Sequence, residues 1–261
     1  MTERTWYIKQ CPLFEQLSTD QLTHLENNAR VRTFPKNVNV YPPSDASETV
    51  FVLLRGRVRI CTYTHEGKQA ILAFIEPGEM FGELSLTHSE GYEDHAETML
   101  PSTVALIPKA NFERLLADNP PFSMGITKII SWRLLRIERR LRSLLFRSNR
   151  DRVVQLMLDL VEQYGSRVEG GTLIDIRLSH QDLANLIGCT RESVTMVLGE
   201  LQSQRYLKIG RQRIVIVDPR KLADDMGFVD FRQRSSNSLS DRSMLNFGKP
   251  STWKPNDSLE S

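Results

Sequence analysis

Residues 179 to 198 constrain the fold more than any other part of the chain. Ser179 and Asp182 form an S-x-x-D pattern that can close a capping box at a helix start. Leu183, Ala184, Leu186 and Ile187 then fall on one stripe of that helix. Gly188 stands where the chain must reverse, and glycine tolerates the positive φ of a tight turn. Thr190 can cap a second helix, on which Val194, Val197, Leu198 and Leu201 recur at helical spacing. This is a helix-turn-helix pattern, and the second helix of such a unit can present its first turn to the major groove of DNA. That turn carries Arg191, which can bridge guanine O6 and N7, and Glu192, which can accept from cytosine N4. An αα-hairpin in an ordinary helical domain is the plainer alternative.

The residues just before this motif are basic. Between Arg133 and Arg152 lie eight arginines (133, 136, 139, 140, 142, 147, 150, 152) against two acids, Glu138 and Asp151. The net charge of +2 is too small to argue for nucleic acid by itself. The position of the run favours an electrostatic role over a merely solvated helix face. The same region reads as a long helix from about 122 to 146. Its Ile130, Leu134, Ile137, Leu141 and Leu144 are spaced 4, 3, 4 and 3, a heptad seam. The seam favours self-association over packing within its own domain, because this helix has little other apolar surface. A second helix, about 150 to 164, ends at Gly165. Beyond the helix-turn-helix, 206–209 and 214–217 read as a hairpin around Gly210-Arg211-Gln212-Arg213. Such a basic tip can grip phosphates as a wing, the alternative being a plain terminal hairpin.

The first half follows another grammar. Residues 12 to 30 look helical, with Ser18 as a cap. From about 31 to 108, short β-branched runs end at turn signals: 38–41, 50–54, 58–63, 69–75 and 103–107. Turns at that interval predict an antiparallel sandwich or barrel. After Leu222 the chain turns polar, and eight serines lie between 235 and 261, which predicts a disordered tail. A chain of 261 residues with 40% hydrophobic and 25% charged content suits one large or two ordinary globular domains. It has neither a transmembrane run nor an apolar signal core, so a cytoplasmic protein with no membrane partner is expected. Cys11, Cys61 and Cys189 are scattered, and no metal-ligand spacing or catalytic nucleophile with base and orienter is visible. An enzyme is not expected.

Taken together, these segments resemble the cyclic-AMP receptor protein/FNR (CRP/FNR) family of bacterial transcription regulators over about residues 10 to 220. The hairpin Phe51-Val52-Leu53-Leu54-Arg55-Gly56-Arg57-Val58 is similar to the family's glycine-turn hairpin. The run Pro77-Gly78-Glu79-Met80-Phe81-Gly82-Glu83-Leu84-Ser85-Leu86 resembles its phosphate-binding cassette, and Gly188 to Val194 its recognition-helix start. The resemblance implies an α+β chain. An antiparallel, cupin-like β-roll of the cyclic-nucleotide-binding type would span 10–120 and a dimerisation helix 121–148. A winged helix-turn-helix would span 149–220, with the polar tail at 221–261. It further implies a homodimer on double-stranded DNA, with RNA polymerase as a possible further partner, and an effector near 79–97 that reorients the recognition helices. DNA contacts would come from Gln181, Thr190, Arg191, Glu192, Thr195, Met196, Arg211 and Arg213. Candidate effector-pocket residues are Phe81, Gly82, Glu83, Leu84, Asp94, His95, Arg133 and Ile137.

Departures from the family pattern are equally informative. Asp94 and His95 stand where its cyclic-nucleotide binders carry an Arg-Ser or Arg-Thr pair, and no arginine lies between Arg59 and Arg114. A cyclic phosphate needs charged donors, so cAMP is not the expected ligand. Ile137 and Glu138 occupy the positions that reach the purine in such binders. Cys11 stands alone where iron–sulfur members carry a cluster. Haem sensing would need a His or Cys ligand; His65, His88 and His95 are candidates, and each reads better as a surface or loop histidine. Arg133 resembles an arginine that 2-oxoglutarate-binding relatives use, without the second arginine from the roll. Met196 replaces the last arginine of the family's Arg-Glu-x-x-x-Arg. The expected site is therefore a palindrome related to TGTGA…TCACA but altered or relaxed at one base pair. A signal-sensing or scaffold protein with a degenerate DNA surface is the alternative function.

Overall fold

The computed structural model describes residues 12–42, 48–86, 92, 94–210 and 213–228. Of the expectations above, Cys11, His88, Arg211 and the tail from 229 lie outside these residues. The described chain forms two compact units. The first runs to Arg133 without Gln69–Ile71, and the second holds Gln69–Ile71 and the chain from Leu134 onward.

Helix α1 (Thr19–Asn28) of the first unit starts at the cap its sequence announces. Ser18 Oγ accepts from the Gln21 amide at 3.2 Å, and Gln21 Oε1 accepts from the Ser18 amide at 3.0 Å. Eight strands follow: β1 (Arg30–Phe34), β2 (Asn39–Tyr41), β3 (Thr49–Arg55), β4 (Val58–Tyr63), β5 (Gln69–Ile75), β6 (Met80–Phe81), β7 (His95–Thr98) and β8 (Ser102–Pro108). They build two sheets, in the orders β1-β8-β3-β6 and β2-β7-β4-β5. Successive side chains of a strand point to opposite faces. Phe51, Leu53, Phe81 and Val104 of the first sheet accordingly share a core with Tyr41, Val58, Ile60, Ile75 and Ala96 of the second. Val50, Val52, Met80, Ala105 and Ile107 point the other way and pack with Leu25 of α1, Phe112 and Leu115 of α2 (Lys109–Asp118) and Phe122 and Ile126 of α3 (Pro120–Phe146). A sheet covered on both faces reads as a continuous apolar run, which is why 50–54 shows no alternation.

In the second unit α4 (Asn149–Tyr164) packs on α5 (His180–Ile187) and α6 (Arg191–Ser203). A four-stranded antiparallel sheet completes it, in the order β11-β12-β10-β9. Its strands are β9 (Gly165–Val168), β10 (Gly171–Ile174), β11 (Leu207–Gly210) and β12 (Arg213–Ile216). Gly165 therefore does more than stop a helix: the chain turns there directly into β9. The expected polar tail from 221 is corrected at its start. Helix α7 (Pro219–Asp225) is capped by Asp218, whose carboxylate accepts from the Arg220 and Lys221 amides at 2.9 and 3.0 Å. Leu222, Ala223 and Phe228 are buried.

The arginine run proves to be largely structural. Arg139 meets Glu162 at 3.6 Å and Arg150 meets Glu200 at 3.5 Å. Arg147 lies 4.1 Å over the Phe228 ring, and Arg152 donates to the carbonyls of Leu144 and Arg147 at 2.7 and 3.1 Å.

Candidate nucleic-acid interface

The helix-turn-helix is built by three local devices. Ser179 Oγ accepts from the Asp182 amide at 3.1 Å while Asp182 Oδ2 accepts from the Ser179 amide at 2.9 Å, closing the capping box of α5. Gly188 ends that helix in the left-handed region, at φ 62°. Thr190 caps α6 by accepting from the Ser193 amide at 3.2 Å. Leu183, Ala184, Leu186 and Ile187 of α5 and Val194, Val197, Leu198 and Leu201 of α6 are all buried. That burial fixes which side of α6 is left over. Gln181, Thr190, Arg191, Glu192, Thr195 and Met196 are all exposed, as is Arg213 at the start of β12.

Besides the capping Thr190, two of these groups are already engaged. Gln181 Nε2 donates to Asn185 Oδ1 at 2.8 Å. The Thr195 hydroxyl donates its one proton to the Arg191 carbonyl at 2.9 Å, so His180 Nδ1, 2.8 Å from the same oxygen, is the donor of that pair. His180 thus ties the start of α5 to the second turn of α6. Sequence reasoning passed over it, although its place directly after an N-cap serine was visible. At the far end of α6, Arg150 contacts both Glu200 and Gln204 Oε1, the latter at 3.3 Å.

The effector-pocket candidates divide. Phe81 is buried in an aromatic stack with Tyr41, Phe51 and Tyr92, the Tyr41 and Tyr92 rings lying 4.0 Å apart and those of Phe51 and Phe81 5.2 Å apart. Gly82, at φ 74°, brings the backbone so close to Phe51 that a Cβ would stand 2.8 Å from the ring. Glu83 binds the Arg133 guanidinium, which also donates to the Met80 carbonyl at 2.8 Å. Asp94 accepts from the Tyr41 hydroxyl at 2.9 Å. Burial pushes the Asp94 carboxyl above the usual carboxylate range and the Tyr41 phenol above its own. His95 is not part of this group. It is the first residue of β7 and pairs with Cys61, so it shares the face of Arg59 and Glu97 while Ala96 points into the roll. There it stacks on Tyr63 at 4.5 Å, and burial holds its pKa below the usual histidine value. Pairing it with Asp94 overlooked the alternation of a strand that the sequence did not reveal. Ile137 is an exposed position of α3, and the side chain of Leu84 lies outside the described residues.

Residues 151–225 match the Crp-like helix-turn-helix domain and residues 31–119 the cyclic nucleotide-binding domain. The global nitrogen regulators of Nostoc sp. and Synechocystis sp. are 31% and 30% identical over 191 residues, spanning 72% of this chain and 86% and 85% of theirs. The chain belongs to the CRP/FNR family. It is a DNA-binding transcription regulator and not an enzyme. As a CRP/FNR regulator it also resembles the solved structure of a CooA mutant from Carboxydothermus hydrogenoformans. That likeness has a TM-score of 0.70 at 22% identity, covering 81% of this chain and 92% of that one. A second is the c-di-GMP-responsive regulator CLP of Xanthomonas campestris, with a TM-score of 0.67 at 26% identity, covering 76% and 99%. Among the described residues, no helix of this family member is long and apolar enough to cross a membrane. None of them form a group of three or more His, Cys, Asp or Glu side chains able to hold a metal ion.

Proposed function

We propose that the chain acts as a homodimer that lays two copies of α6 into successive major grooves of a palindromic duplex. The observation that carries this reading is the surface of α6. Every large aliphatic side chain the helix needs for packing is buried, and Arg191, Glu192 and Met196 stand outward beside its capped N-terminus. Pairing of two copies is supported by α3. Its heptad residues Ile130, Leu134, Ile137, Leu141 and Leu144 are each 40–54% exposed. Apolar groups at that spacing are stable when a second helix covers them. Two α6 helices related by such a seam would reach half-sites about one DNA turn, roughly 34 Å, apart. Arg213 and the basic tip before it would hold phosphates, as would Thr190 and Gln181. Acting on the chromosome, the protein would work in the cytoplasm.

The controlling signal is a ligand other than cAMP, a protein partner, or no small ligand at all. Two things support this. The aromatic stack of Tyr41, Phe51, Phe81 and Tyr92 occupies the inside of the roll, and Arg133, a candidate for holding an anion there, is already paired with Glu83. A thermal-shift screen against cAMP, cyclic-di-GMP, 2-oxoglutarate and haem tests the point, and stabilisation by micromolar cAMP would overturn it. DNA recognition is tested by selection from random duplex pools. Gel shifts at several salt concentrations with Arg191→Ala and Glu192→Ala would follow. The expected result is a palindrome at which each variant loses discrimination at one base pair. Binding that persists unchanged and without sequence preference would end the proposal.

A further inference from the structure

Between residues 179 and 204 one large apolar side chain is exposed. Met196 is 61% exposed, whereas Val194, Val197, Leu198 and Leu201 of the same helix are at most 2% exposed. Met196 lies one helical turn beyond Glu192, on the same face. The next turn brings Gly199, where an added Cβ would meet nothing within 4 Å. A glycine inside a helix weakens it, and no close packing at this position requires one. Its effect is to leave the flank of Met196 bare. Beyond it, the Glu200 carboxylate is paired with Arg150 at 3.5 Å. The outward face of α6 therefore runs from two charged readers, Arg191 and Glu192, to an apolar, flexible side chain with clearance for close approach.

Given α6 in the major groove, the reading this inference rests on, the partner chemistry of Met196 is narrow. The edges that base pairs present there are hydrogen-bond donors and acceptors, with one apolar exception, the C5 methyl of thymine. We propose that Met196 reads that methyl group, with Gly199 giving the backbone room to bring it into contact. The thioether side chain is unbranched and polarizable, so it can settle against a methyl without a strict geometry. The half-site then favours an A·T pair, with its thymine on the strand that Met196 faces. Specificity at that step depends on one methyl group and not on a hydrogen bond.

The test uses the full chain and the duplex obtained by selection. Each thymine of the half-site is replaced in turn by deoxyuridine, which removes the methyl and leaves base pairing intact. One position should weaken binding about fourfold, the worth of one buried methyl-sized group, and about fifteenfold when both half-sites are changed. Met196→Ala should bind the thymine and deoxyuridine duplexes equally. Met196→Arg should move the selected base at that position to guanine. A specific binder insensitive to every deoxyuridine would overturn the role of Met196 and leave the recognition reading intact. So would a deoxyuridine effect that persists in Met196→Ala. A protein that binds all duplexes alike would overturn both.

Discussion

Removing the charge of Glu83 should destabilise the first unit more than any single surface change. The Glu83 and Arg133 side chains are only 18% and 12% exposed. Among the described residues, Arg133 has one other partner, the Met80 carbonyl at 2.8 Å, and its buried Nε has none. Glu83→Gln therefore leaves a guanidinium in poor solvent without its counter-charge. Breaking one side of a buried pair costs about 3–5 kcal/mol. Here the lower end applies, because the amide still accepts a hydrogen bond and some water reaches both groups. For a chain of this size about 3 kcal/mol corresponds to a melting transition lowered by roughly 6–12 °C. Arg133→Met removes the other side and strands Glu83 instead. The double variant, with neither charge, should melt above both single variants, since no ion is left uncompensated. Circular dichroism melts of the wild type and the three variants measure this directly. If the two single costs simply add in the double variant, the groups are not coupled in solution and the argument fails.

Other outcomes follow from the same geometry. Gly188→Ala forces a Cβ into the left-handed region and to 3.3 Å from Leu144 Cδ2, so urea unfolding should show a loss of at least about 1–2 kcal/mol. A loss below about 0.5 kcal/mol would contradict the turn geometry. Asp94 has its pKa raised by burial, so its contribution is fully present below the usual carboxylate pKa and is lost as pH rises through the folded value. Asp94→Asn should accordingly melt higher than wild type at pH 8, and the gap should close near pH 3. A gap independent of pH would remove the carboxyl as its cause. Arg213→Ala should weaken all duplexes alike and lower the slope of log affinity against log salt by about one. Loss confined to one base pair would show that Arg213 reads a base.

The DNA-facing half was the more legible because its signals are local. Ser179, Gly188 and Thr190 each specify a cap or turn within four residues, and the structure builds all three as they stand. The roll was legible only as a series of strands. Its partners are distant in sequence: β1 pairs with β8, and β7 lies between β2 and β4. Strand β7 is four residues long and alternates His95, Ala96, Glu97 and Thr98, too short to give a period, so the inward and outward faces of Asp94 and His95 were merged. Helix α7 did carry its own signal. Asp218 followed by Pro219 is a cap and first-turn pair, but polar composition downstream obscured it.

The arginines near the start of the second unit bear on how such a protein would meet its target. Arg133, Arg139, Arg147, Arg150 and Arg152 are each engaged in a contact within the fold. Affinity for random duplex grows with the number of counterions a protein displaces, and cations spent on internal joints displace none. In the proposed complex, retention on non-target DNA would rest instead on the outward cations of α6 and of the β11–β12 turn.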